Sequence, residues 1–88
     1  MSSSNQGMQV TVKLFAGVRD AVGSDQLDVD LPVAATVGEL RAKIAADHPQ
    51  LHTWLACSRF AVGTEFAADT TVLADGDQLA WIPPVSGG

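Results

Sequence analysis

The strongest constraint in this chain is an alternation near its start. Met8, Val10, Val12 and Leu14 are apolar while Gln9, Thr11 and Lys13 between them are polar, the period-2 mark of a strand with one buried face. Residues 26–31 alternate again and stop at Pro32, which has no N–H to give a ladder. Between the two runs, residues 17–23 carry glycine at both ends and read as a loop, so the two strands form an antiparallel hairpin. One apolar face of a hairpin needs a cover, and the next segment supplies it. Thr36 followed by Glu39 is a capping box, in which hydroxyl and carboxylate satisfy free N–H groups of a first helical turn. Val37, Leu40 and Ile44 then line one face of a helix, with Arg41, Lys43 and Asp47 on the wet side, and Pro49 ends it.

The second half is built from shorter pieces. Leu51, Trp54 and Leu55 suggest a further short turn of helix on the core. Residues 59–62 read as a strand, 63–65 as a turn and 66–67 as a brief return strand. Asp75-Gly76 is a turn signal, residues 78–82 form a last strand, and Pro83-Pro84 stops it. Strand, strand, helix, short strands and final strand around one core make an α+β two-layer arrangement. With the last strand beside the first in the sheet centre, the layout is a β-grasp, ubiquitin-like fold: a mixed sheet packed on one main helix.

At 88 residues there is room for one domain with a small core and no deep enclosed site. Function therefore belongs on a surface or a terminus. Residues 1–7 read as a flexible polar lead, 8–82 as the folded domain and 83–88 as a projecting C-terminal tail; Met8 is as good a candidate for the true start as Met1. A net charge of −5 with five Lys plus Arg argues against nucleic acid and anionic membrane surfaces as ligands. The single cysteine, Cys57, cannot form an intramolecular disulfide, and neither a signal peptide nor an 18-residue apolar run occurs, so a cytoplasmic location is expected.

Side-chain catalysis has little to stand on. Cys57 sits in an apolar context, His48 and His52 are separated by Pro49, and Asp28 and Asp30 read as the solvated face of a strand. No metal site is expected. By parity, Phe15 and Ile82 fall opposite the buried sets of their strands, and together with Phe66 they form a candidate apolar docking patch on the sheet face away from the helix. The other exceptional feature is the end of the chain. Pro83-Pro84-Val85-Ser86-Gly87-Gly88 can reach roughly 20 Å as an extended tail at ~3.3 Å per residue. Two terminal glycines without Cβ atoms suit a narrow tunnel in a partner's active site.

The final run, Asp75-Gly76-Asp77-Gln78-Leu79-Ala80-Trp81-Ile82-Pro83-Pro84-Val85-Ser86-Gly87-Gly88, resembles the ending of the β-grasp sulfur carriers that serve as small subunits of molybdopterin synthase. Residues 12–23, Val-Lys-Leu-Phe-Ala-Gly-Val-Arg-Asp-Ala-Val-Gly, are similar to that family's first strand and following loop, and Ala35-Thr36-Val37-Gly38-Glu39-Leu40 to its helix start. Ala61-Val62-Gly63-Thr64-Glu65-Phe66 matches more loosely, since the family commonly has Asn where Gly63 stands. The resemblance implies that an E1-like enzyme uses ATP to adenylate the carboxylate of Gly88, and that a sulfur donor converts it to a thiocarboxylate. It further implies delivery of that sulfur to a pyranopterin precursor inside a large synthase subunit, in a heterotetramer, for molybdenum cofactor biosynthesis. On that reading the carrier has no catalytic side chain and no permanently bound cofactor. Three alternatives stay open on the residues: a ubiquitin-like protein modifier, a sulfur carrier for thiamine or cysteine synthesis, and a plain interaction module.

Overall fold

The computed structural model describes residues 7–82. Strand β1 spans Gly7–Lys13 and β2 Gln26–Pro32, paired antiparallel with Met8 opposite Leu31 and Val10 opposite Val29, as the alternation requires. Strand β1 begins at Gly7, one residue before the expected boundary at Met8. Helix α2, Val37–Asp47, opens on the capping box: Glu39 N donates to Thr36 Oγ1 at 3.3 Å and Thr36 N donates to Glu39 Oε1 at 3.0 Å. A 3-10 turn at Pro49–Leu51 leads into α3, His52–Cys57. Strands β3, Arg59–Val62, and β4, Glu65–Ala67, form a second hairpin, and β5 spans Gln78–Ile82.

One five-stranded sheet runs in the order β2-β1-β5-β3-β4. The last strand lies parallel to the first, with Val12 beside Leu79, and antiparallel to β3, with Phe60 beside Trp81. This is the β-grasp arrangement. Its inner face carries Val10, Val12, Val29, Leu79, Phe60 and Trp81, all buried, against Val37, Leu40 and Ile44 of α2 and Leu51 and Leu55 beyond it. Burying each such aliphatic or aromatic side chain contributes about 1.5–3 kcal/mol. The Phe60 and Trp81 rings meet with centroids 5.3 Å apart.

Two expectations need correction. Residues 17–23 are not a loop: α1 occupies Ala16–Val22 and buries Val18, and Gly23 closes it in the left-handed conformation at φ 84°. Glycine at 23 is a C-cap, where the absent Cβ removes the steric penalty of positive φ. Glycine at 17 serves a close approach, since a Cβ there would sit 2.5 Å from Cη2 of Trp54 on α3. The second correction concerns Arg41. It is not on a wet face but half-buried, donating from Nη1 to Leu55 O at 2.7 Å and from Nη2 to Ser58 O at 3.0 Å, with its guanidinium 4.9 Å from the Phe60 ring centroid.

Candidate functional site

Strand pairing assembles the outer sheet face. Lys13, Ala80, Ala61 and Phe66 fall in one row across β1, β5, β3 and β4, because Lys13 pairs with Ala80, Ala80 with Ala61 and Ala61 with Phe66. In the adjacent row Ile82 pairs with Arg59. The Arg59 guanidinium lies 5.4 Å from the Phe66 ring centroid, so the two residues join the rows through a cation–π contact.

Phe66 is 63% exposed and Phe15 43%, while Ile82 is half-buried. Phe15 lies past the end of β1 as the N-cap of α1, still extended at φ −135° and ψ 155°. Carrying the Lys13–Ala80 register forward two residues sets Phe15 level with Ile82. Of the apolar residues singled out in the sequence, Ile82 pairs with Arg59, Arg59 lies over Phe66, and Phe15 stands two residues beyond Lys13 on the same parity. Lys13 and Arg59, both exposed, add positive charge to this patch. Arg59 was missed in the sequence, although its place one residue before the buried Phe60 is the signal that puts it on the outer face.

The rest of that face has the opposite sign. Asp28 and Asp30 of β2 are exposed, accepting hydrogen bonds from Thr11 Oγ1 and Gln9 Nε2, both at 3.2 Å. The outer face therefore runs from an acidic edge at β2 to a cationic and aromatic half at β5, β3 and β4. Under its far end, Ser58 Oγ and Trp81 Nε1 are buried without a hydrogen-bond partner among the described residues. His48 is the C-cap of α2 and His52 is exposed; among the described residues no three His, Cys, Asp or Glu gather into a metal-binding group. No helix among them is long and apolar enough to cross a membrane. Pro83, Pro84, Val85, Ser86, Gly87 and Gly88 lie outside the described residues, and the fold brings the candidate patch to the strand from which they follow.

The ThiS family model matches residues 12–88, from the end of the first strand to the last glycine. This chain belongs to the ThiS family. The molybdopterin synthase sulfur carrier subunit of Chlamydomonas reinhardtii is similar at 37% identity over 83 residues, covering 92% of this chain and all of that protein. The crystal structure of Haloferax volcanii small archaeal modifier protein 1 superposes with a TM-score of 0.79 at 30% identity, covering 89% of this chain and 99% of that one. A second similar structure, with a TM-score of 0.65 and 29% identity over 92% of this ThiS-family chain and all of the matched one, is a complex. It holds subunits 1 and 2 of the molybdopterin-converting factor of Helicobacter pylori.

Proposed function

We propose that this ThiS-family chain is the sulfur carrier subunit of a molybdopterin synthase, acting in molybdenum cofactor biosynthesis. The observation that supports it most is that the family match runs through to Gly88, so the residues bearing the chemistry lie inside the matched span and not beyond it. The carboxylate of Gly88 is a poor electrophile. An E1-like partner activates it with ATP, releasing pyrophosphate and leaving an acyl adenylate; the outer sulfur of a persulfide donor attacks the acyl carbon and displaces AMP, and a thiol reductant then cleaves the acyl disulfide, leaving with the donor's sulfur as a disulfide. The resulting thiocarboxylate is a good nucleophile and enters the large synthase subunit, where the catalytic side chains reside. Pro83 and Pro84 lack N–H groups and favour an extended backbone, Val85 and Ser86 are small, and Gly87 has no Cβ, so this sequence suits threading through a narrow channel.

The carrier's own contribution is then a reactive end and a docking surface. Phe15, Phe66 and Ile82, edged by Lys13 and Arg59, serve as that surface. Aromatic and arginine anchors on an exposed apolar patch are what a protein partner uses for affinity. Delivery of two sulfurs to one product calls for two loaded carriers, consistent with a heterotetramer of two large and two small subunits.

Intact mass spectrometry of the chain after incubation with its host's E1-like enzyme, ATP and a sulfur donor tests the reading. Exchange of one terminal oxygen for sulfur is the expected result. The second reading, a protein modifier, is favoured by the likeness to the archaeal modifier. Covalent adducts to other proteins without any gain of sulfur would establish it instead.

A further inference from the structure

A second exposed apolar site lies at the other end of the sheet and shares no residue with the docking face or the C-terminal chemistry. Val33 and Val72 are 62% and 61% exposed, and both line an open groove of about 550 Å³ with Met8 and Ala34. The tertiary fold makes this neighbourhood: Val72 bridges to Thr36, and Leu73 N donates to Ala35 O at 2.8 Å, which brings the 72–75 segment against the turn after β2. The groove continues past Gly7 and Met8 into a second depression of about 500 Å³ lined by Gln9, Asp30 and Asp75. One half is aliphatic and the other is acidic.

Two observations characterise the groove, and the second of them, its charge, indicates what fits. Ala34 holds φ 68°, a left-handed conformation that costs a non-glycine residue about 1–2 kcal/mol and tends to cluster where ligands are clamped. The turn thus presents Val33 to solvent in a strained backbone. The charge is one-sided as well: Asp30 and Asp75 line the groove, and among the described residues no Lys or Arg does. Each carboxylate takes one hydrogen bond from Gln9, to Asp75 Oδ1 from the backbone N at 2.8 Å and to Asp30 Oδ1 from Nε2 at 3.2 Å, which fixes both in place. A second copy of this chain would bring the same acids to the contact and be repelled.

We propose that this groove docks a partner-protein segment carrying a branched aliphatic residue next to lysine or arginine. The aliphatic side chain covers Val33 and Val72, and the cation pairs with Asp30 and Asp75. The parallel register places Ile82 level with a position seven residues beyond Met8, about 23 Å away at ~3.3 Å per residue. A partner held here leaves the opposite end of the sheet free, so the chain can be tethered while its C-terminus is engaged elsewhere.

The test is titration of the ¹⁵N-labelled full chain with the blocked peptide acetyl-Arg-Ile-Val-Arg-amide, against a control in which both arginines are glutamate. Saturable shifts confined to the amides of Val33, Ala34, Val72, Leu73 and Asp75 are expected, weaker as salt is raised and absent with the glutamate control. Val72→Asp should weaken binding at least tenfold. Val33→Ser, at an equally exposed position, gives a second reading should Val72→Asp disturb the fold, and Asp30→Asn should weaken binding severalfold. Shifts that do not saturate, that fall on Phe66 and Ala80, or that are equal with the glutamate peptide would overturn the proposal. So would concentration-dependent dimerisation broken by Val72→Asp, which assigns the groove to a second copy. Binding that appears only after residues 1–6 are removed assigns it to the chain's own lead and overturns it equally.

Discussion

Arg41 Nε donates to Asp69 Oδ1 at 2.9 Å, and the two residues differ in what the bond is worth because their side chains are 24% and 65% exposed. The carboxylate is largely solvated, so its share is that of a surface pair. The guanidinium is also committed to Leu55 O and Ser58 O and lies over Phe60, which ties α2 to the end of α3 and the start of β3.

Arg41→Ala should therefore destabilise the protein by about 2–3 kcal/mol, through two carbonyls that lose a charged donor and packing lost over Phe60. Asp69→Asn should change stability by no more than about 1 kcal/mol. Urea denaturation of both variants checks the asymmetry; equal losses would mean that the ion pair, and not the carbonyl contacts, matters.

Gly17→Ala is expected to destabilise by about 1–3 kcal/mol, since its Cβ would meet Trp54 Cη2 at 2.5 Å and push α1 away from α3. Shortening the neighbour relieves the clash, so Gly17→Ala combined with Trp54→Leu should be less destabilised than the two single changes added together. Thermal unfolding of the four proteins reads this coupling.

On the proposed docking face, Phe66→Ala and Phe15→Ala should leave unfolding within about 0.5 kcal/mol of the parent, because exposed side chains lose little packing. Each should weaken binding to the large subunit by roughly tenfold or more, the loss typical of an aromatic anchor. Ile82→Asp should do the same with a larger stability loss, since Ile82 is half-buried. Calorimetric titration against the large subunit distinguishes docking residues from bystanders.

Removing Gly88 should abolish thiocarboxylate formation with no measurable change in melting temperature. It shortens the chain by about 3.3 Å, enough to withdraw the carboxylate from an activating site built for the full length. The buried core among the described residues ends at Trp81, seven residues before Gly88. Wild-type sulfur loading of the truncated chain would refute the proposed role of this residue.

Much of this molecule is legible from local pattern. The β1 and β2 alternation, the Thr36 and Glu39 box, and the Asp75-Gly76 turn each encode their geometry within a few residues, where periodicity and capping chemistry act. Helix α1 was hidden because its two glycines look like loop punctuation; one is a C-cap and the other makes room for Trp54, far along the chain. Arg41 was misplaced for a similar reason. Position on a helix indicates which way a side chain leaves the backbone, but the carbonyls of Leu55 and Ser58 that claim it arrive through tertiary packing.

The division follows the range of the forces involved. By itself the sequence determined the paired strands β1 and β2 and the main helix, because these depend on near neighbours and residue type; the seat of β5 beside β1 is a pairing between residues more than sixty apart. Only the tertiary structure decided that Arg59 joins Ile82 to Phe66 on the outer face, and that Val33 and Val72 line one groove. Both surfaces are made by strand register and loop closure between residues distant in the chain, and no local periodicity records which distant segment will arrive beside which.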